Sequence, residues 1–244
     1  MRIAVISDVH SNLPALNAVL DQAGAVDAIW HLGDIVGYGP EPDGVVERLA
    51  AIGAVGVRGN HDAAACGGTE IEWFNPEARA AMEWTRTVIS GRTRSWLADL
   101  PERRVMADFT LVHGSGRDPT WEYVTSSTAA KASLAAMKTR HGINGHTHIP
   151  IAFVEDGDRV GTVRPRNAAG DDPFRFLDGG RVLLNPGSVG QPRDGDPRAS
   201  FMILDTEEGS ATWSRVPYDI ASVGKLMRAA GLPIRLSERL RHGL

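Results

Sequence analysis

Residues 3–6, IAVI, form a four-residue apolar run that stops at Ser7-Asp8, and a helical pattern follows at once. The first third of the chain repeats that order of strand, turn and helix. In NLPALNAVLDQAG, Leu13, Leu16, Val19 and Leu20 recur at helical spacing and Gly24 supplies a stop. DAIWHL reads as a second strand, EPDGVVERLAAIG as a second helix with Val45, Val46, Leu49 and Ile52 on one face, and AVGVR as a third strand. Parallel neighbours need a crossover, and helices supply one, so this part is expected to form a mainly parallel sheet covered by helices.

The rest has a different texture. Residues 76–100 read as helical, with Pro76 at the first helical position. RRVMADFTLVH is expected to be a hairpin turning near Ala107-Asp108, and TSSTAAKASLAAMKTR a helix with a Ser/Thr cap. After His148, IPIAFVED, PFRFLDGGRVLLNPGS and ASFMILDTEEGSATWSRV read as strands joined by Gly/Asp turns, the pattern of antiparallel hairpins. An amphipathic helix over 220–230 closes the chain. With no low-complexity linker and no repeat beyond the strand–helix units, a single domain over 1–244 is expected.

Five segments end an apolar run on side chains able to hold a metal ion: SDVHSN (Asp8, His10), HLGDIVGYG (Asp34), RGNHD (Asn60, His61), LVHGSG (His113) and GHTH (His146, His148). Taken singly, each Asp could be a turn residue and each His an ordinary core or surface group. Five of the eight histidines are nevertheless the candidates named in these segments, leaving His31, His141 and His242, and scattered surface histidines have no reason to follow strand ends beside carboxylates. Side chains from different strands converge at the carboxyl end of an open sheet, so residues far apart in sequence can share one site. Asp8 and His10, two apart, project to one side of an extended segment. Glycine before Asp34, Asn60 and His146, and after His113, lets backbone come close.

Four imidazoles, two carboxylates and one amide oxygen are too many donors for a four-coordinate zinc and suit two ions bridged by a carboxylate and a water. Nitrogen and oxygen donors without thiolate fit Mn, Fe or Zn. The one cysteine, Cys66, excludes an intramolecular disulfide and a Cys-rich zinc site. The formal charge of −4, without a long run of either sign, gives no nucleic-acid-binding or membrane-binding surface. The first apolar run is too short for a signal peptide and no stretch is long enough to span a bilayer, so a cytoplasmic location is expected.

The order D-x-H, G-D, G-N-H-D, a later H, then G-H-x-H resembles the calcineurin-like metallophosphoesterase family over residues 8–188, and NPGSVGQPR is similar to its bacterial small phosphodiesterase branch. The resemblance implies a two-layered β-sandwich of mixed sheets flanked by helices. It implies hydrolysis of a small phosphodiester or nucleotide by a hydroxide bridging two divalent ions. Asp8, His10 and His148 would hold the first ion, Asn60, His113 and His146 the second, and Asp34 would bridge them. His61 would contact phosphate and protonate the leaving oxygen, with Asp62 either orienting it or capping the next turn.

Other residues carry two readings each. Asn12 is expected to cap the first helix, near which phosphate would lie and be contacted; Tyr38 either stacks on a substrate base or fills a loop; Arg193 either binds a second phosphate or pairs with Asp194 or Asp196. Trp121 and Tyr123 could clamp a base or pack at the rim, and Ser188 could be a turn residue or a donor behind the ligands. The strand before G-H-x-H, in KTRHGIN, is unusually polar, which suggests a short or edge strand. Two alternatives in function are an idle scaffold on the same fold and a phosphoprotein phosphatase. The intact ligand set with His61 argues against the first, and the lack of a docking extension against the second.

Overall fold

Each residue of the opening apolar run belongs to one of two cores. In β1 (Arg2–Ile6), Ile3 and Val5 face one side of the sheet and Ala4 and Ile6 the other, as a period of two requires. β1 runs parallel to β2 (Ala28–His31), which runs parallel to β3 (Val55–Gly56). On its other side β1 is antiparallel to β11 (Ala199–Asp205), with Arg2 opposite Asp205, and β12 (Ser210–Val216) and β9 (Phe174–Arg175) continue the sheet. The parallel pairing expected for the first third therefore holds for three strands, and the whole sheet is mixed. The computed structural model describes residues 1–68, 71–165, 173–176 and 180–244. The hairpin read in PFRFLDGGRVLLNPGS does not form: Phe174–Arg175 pairs with β12 in this sheet while Arg181–Pro186 belongs to the other, and the connecting residues 177–179 lie outside the described residues.

The second sheet is built from β4 (Arg103–Met106), β5 (Phe109–Val112), β6 (His141–Ile143), β7 (Pro150–Asp156), β8 (Arg159–Val163) and β10 (Arg181–Pro186), in the order β4-β5-β6-β10-β7-β8. The hairpin between β4 and β5 turns at Ala107-Asp108, as expected, with Ala107 at φ 50°. β5, β6 and β10 are mutually parallel neighbours, while the remaining pairs are antiparallel. β6 is short but interior, between β5 and β10, and its three residues are buried. The polar character of KTRHGIN comes from Lys138, Thr139 and Arg140, which precede the strand in a turn.

Ile3, Val5, Trp30 and Leu32 of the first sheet pack against Phe109, Leu111, Ile143, Val182 and Leu184 of the second, which makes the molecule a sandwich with an apolar centre. The outer face of the first sheet is covered by α1 (Leu13–Ala23), α2 (Pro42–Ala51), α3 (Asn60–Ala65), α4 (Pro76–Val88), α5 (Gly91–Ala98), α7 (Ile220–Ala229) and α8 (Ile234–Arg239). α6 (Ser127–Ala135) covers the second sheet through Ala130 and Leu134.

Three further expectations are corrected. The helical stretch 76–100 is two helices, because Ile89 turns extended (ψ 136°) and Ser90 caps a new helix by accepting from the Thr93 N–H. α6 ends before residues 137–140, which form the turn that feeds β6. The chain continues past α7 into α8, whose six residues are too few for periodicity to reveal. Among the described residues no helix is long and apolar enough to cross a membrane.

Candidate metal centre

The loops after β1, β2 and β3 in one sheet and after β5 and β6 in the other meet at one end of the sandwich. They bring two groups of ligand atoms together, Asp8, His10, Asp34 and His148 in one and Asp34, His113 and His146 in the other, each within 4.8 Å and all buried. Asp34 belongs to both. His148 Nε2 lies 3.2 Å from Asp8 Oδ1, and His10 Nε2 lies 3.7 Å from Asp34 Oδ2. On the other side of Asp34, His113 Nε2 is 3.3 Å from Asp34 Oδ2, 3.1 Å from Asn60 Oδ1 and 2.9 Å from His146 Nδ1. The sequence expected these seven side chains to converge, and they do.

The backbone makes the convergence possible. A Cβ added to Gly59 would collide with Asp34 Oδ1 and the Asp34 backbone nitrogen, so the β2 and β3 loops touch only because residue 59 has none. The loop after β10 completes the end of the sandwich: Ser188 Oγ donates to the Asp8 carbonyl at 2.8 Å and the Gly190 N–H to the same oxygen at 2.9 Å. Ser188 thus supports the β1 loop.

The donor set fits metal ions. Each ligand imidazole turns its second nitrogen to a backbone carbonyl: His10 Nδ1 to Val36, His113 Nδ1 to Leu32, His146 Nε2 to Trp121 and His148 Nδ1 to Gln191. Donation there leaves the nitrogen facing the cluster as a free lone pair, the arrangement that orients metal-bound histidine. His10 Nε2 and His148 Nε2 consequently face each other at 3.2 Å, a repulsive contact unless positive charge lies between them. Asp8 Oδ1 is buried without a hydrogen-bond partner. Burial opposes charge on His113, yet Asp34 beside it raises its pKa to about 9, so the cluster draws positive charge. Burial lowers His146 to about 3, in keeping with a neutral ligand.

His61 lies outside both groups. Its backbone N–H donates to Asp34 Oδ1 at 2.9 Å, and its ring stands 4.8 Å from that of His10, 4.6 Å from that of Tyr38 and 4.7 Å from that of Phe74. Its Nδ1 is 3.2 Å from Met82 Sδ. Burial pushes its pKa down to about 4, only partly countered by Asp34, so the imidazole is neutral near pH 7. Asp62 does not orient this ring. Its carboxylate accepts from the backbone N–H groups of Ile35, Val36 and Gly59 at 2.8, 3.1 and 3.0 Å, and thereby holds the loop that carries Asp34.

A cleft of about 370 Å³ over the cluster is lined by Asn60, His61, Tyr38, Trp121, Tyr123 and Arg193, among others. Tyr38 packs its ring on His10 and His61 and holds its hydroxyl 3.4 Å from Arg193 Nη2. The carboxylates offered as partners for Arg193 are engaged elsewhere, Asp194 with Arg215 and Asp196 with Arg198. Asn12, in contrast, is buried and committed: its oxygen caps α1 by accepting from the Ala15 N–H, and its amide donates to the Gly190 carbonyl. A phosphate contact from Asn12 is therefore not supported. Tyr123 stacks on His146 at 3.8 Å, and Trp121 meets Trp73 and Phe74 edge-on at 5.3 and 5.5 Å. Trp73, Phe74 and Arg239 also line the cleft. Trp73 and Phe74 lie between Gly67 and Asn75, a stretch of which 69–70 are outside the described residues, and neither they nor Arg239 were singled out from the sequence.

The calcineurin-like phosphoesterase superfamily domain matches residues 1–209. An uncharacterized protein of Methanocaldococcus jannaschii is 35% identical over 98% of this chain and 96% of its own length. The phosphodiesterase YfcE of Escherichia coli is 26% identical over 85% of this chain and 89% of its own. The crystal structure of a metallophosphoesterase from Sphaerobacter thermophilus superimposes with a TM-score of 0.90 at 44% identity, covering 100% of this chain and 99% of that one.

Proposed function

Because the chain belongs to the calcineurin-like phosphoesterase superfamily, we propose that it hydrolyses small phosphodiesters or nucleotides at a centre of two divalent ions. The observation that carries this reading is the pair of buried ligand groups that share Asp34 beneath an open cleft. Asp8, His10 and His148 would hold one ion and Asn60, His113 and His146 the other, with Asp34 between them. Mn, Fe or Zn bound there would supply Lewis acidity toward a phosphoryl oxygen and lower the pKa of a water.

The chain's own residues do the rest. Asp62 holds the Asp34 loop through the Ile35 and Val36 N–H groups and ties it to Gly59, and four backbone carbonyls would fix the ligand imidazoles. His61 faces the cleft as a neutral ring, and the negative charge of a bound phosphate beside it would favour its protonation. It would then give a proton to the leaving oxygen as water adds to phosphorus and the ester P–O bond breaks. Arg193, with no carboxylate partner among the described residues, would hold a non-reacting phosphoryl oxygen. The phosphodiesterase activity named for the Escherichia coli relative supports a diester over a phosphoprotein.

Metal analysis of the purified protein, with bis-p-nitrophenyl phosphate turnover in Mn²⁺, tests the reading. Two ions imply about two equivalents of metal, and turnover should vanish with chelator and return with Mn²⁺. Loaded protein that hydrolyses no phosphate ester in a broad panel would instead be a scaffold, and hydrolysis confined to phosphoproteins would make it a protein phosphatase.

A further inference from the structure

Each candidate ligand imidazole turns one nitrogen to a backbone carbonyl, but the ring of His61 has a different partner. Its Nδ1 lies 3.2 Å from the sulfur of Met82, a fully buried residue of α4. Among the described residues no carboxylate pairs with either of its ring nitrogens; the histidines that do meet one are His10, His113 and His148. Gly37 closes another approach to Nδ1. A Cβ there would stand 2.4 Å from Nδ1 and 3.0 Å from Met82 Sδ, and the φ of +93° is one that side chains rarely adopt.

A thioether accepts a hydrogen bond and has no hydrogen to donate. Nδ1 must then be the donor, and in the neutral ring the lone pair falls on Nε2. Nε2 has no hydrogen-bond partner among the described residues, and His61 lines the cleft over the candidate metal centre. The rings of His10, Tyr38 and Phe74 pack around it, but a ring turned over about its Cβ–Cγ bond would keep those contacts. The turned ring would put Cδ2 on the sulfur and Cε1 where Nε2 stands, and the cleft would lose its proton carrier. Met82 tells the two orientations apart.

We infer that Met82 is a positioning residue for His61: its sulfur takes the Nδ1 hydrogen and so presents Nε2 to the leaving oxygen of a bound ester. The inference rests on the phosphoesterase reading for the ester, whereas the ring's tautomer is a property of the protein alone. As water adds to phosphorus, the ester P–O bond breaks with its electron pair on the leaving oxygen, and the proton on Nε2 passes to that oxygen. The proton given up by the water goes to solvent, from which Nε2 is protonated again, and the Nδ1 hydrogen stays in place throughout. A proton matters most where the leaving oxygen is basic, so Met82 should matter most for alkoxide and unsubstituted phenoxide leaving groups.

Nitrogen NMR of isotope-labelled histidine in the zinc-loaded protein, with His61→Ala to assign the signals, reads the tautomer directly. Wild-type His61 should carry its hydrogen on Nδ1, and Met82→Leu, a swap of similar volume without the acceptor, should remove that preference. In Met82→Leu, kcat for methyl phenyl phosphate should fall about tenfold and that for methyl p-nitrophenyl phosphate about twofold, with KM unchanged, as expected for one hydrogen bond that acts through proton transfer. Met82→Gln, whose side-chain oxygen can accept from Nδ1, should recover part of the phenyl-ester rate. A Met82→Leu variant that slows both esters equally, or neither, or a wild-type ring with its hydrogen on Nε2, overturns the role of Met82 and leaves the phosphoesterase reading standing. If Met82→Leu does not fold, the wild-type tautomer decides alone. Loaded wild type that hydrolyses neither ester nor any other would remove the phosphoesterase reading, and the role of Met82 with it, whatever the tautomer.

Discussion

Among the described non-glycine residues, the positive-φ positions are Asp8, His10, Ser11, Asp34, Tyr38, Ala107, His146 and His148. Six of the eight, all but Ser11 and Ala107, belong to the candidate site, and five of those are candidate ligands. A side chain in the left-handed region costs on the order of 1–2 kcal/mol, so so many in one place need an offsetting gain. Convergence of donors from five loops is that gain. His61 is different: it sits in α3 with ordinary backbone geometry and outside both ligand groups. His61→Ala should therefore keep its metals while kcat falls by roughly 10²–10⁴, the usual contribution of a proton-transfer group. Metal stoichiometry measured beside turnover checks this, and undiminished kcat with metals still bound would remove His61 from the mechanism.

At the level of elements, the site depends on how closely neighbouring loops approach. Gly59 has φ −93° and ψ 177°, angles any residue adopts, so Gly59→Ala adds steric conflict with Asp34 and no torsional strain. It should destabilise the protein by about 1–3 kcal/mol, as overpacking does, and displace the shared carboxylate, lowering metal content. Gly91, at the start of α5, has nothing within 4 Å of an added Cβ, and Gly91→Ala should raise stability by roughly 0.4–1 kcal/mol with metals unchanged. Denaturant unfolding and metal analysis of the two variants separate loop contact from general tolerance to alanine. The candidate ligands were legible in the sequence because each follows an apolar run, and a strand's end fixes where its next residues emerge. Of the two readings of Asp62, capping fits its local contact with the Gly59 N–H, whereas its hold on Ile35 and Val36 was not legible because those partners come from another loop. Arg239 was not legible at all: α8 is a short helix whose place beside the cleft is decided by packing against α7 and the first sheet.

For the molecule as a whole, β1, β2 and β3 supply ligands from one sheet and β5 and β6 from the other, so bound metal would tie the sheets together at one end. Ligand binding to the folded state alone stabilises by about 4 kcal/mol at a thousandfold excess over Kd, and a chelator should lower Tm accordingly. The pH dependence has a definite sign. In the metal-free protein burial lowers His146 to about 3, His61 to about 4 and His31 to about 3. The unfolded chain protonates these groups near 6.5 and the folded one does not, so stability is lost as pH falls below that value, at roughly 1.4 kcal/mol per pH unit per group. His113 acts oppositely: burial lowers it but Asp34 raises it to about 9, so its contribution is complete below 6.5 and disappears as pH rises through 9. The metal-free protein should thus be most stable near pH 6.5. Metal coordination needs neutral imidazoles, including His113, so the Tm difference between loaded and chelated protein should grow steadily from pH 5 to pH 8. A difference that stays flat over this range would mean that His113 is not a ligand, since it is the one candidate imidazole that must lose a proton there. Part of the acid sensitivity must survive metal loading, because His31 lies outside both ligand groups with its two ring nitrogens buried and unpartnered.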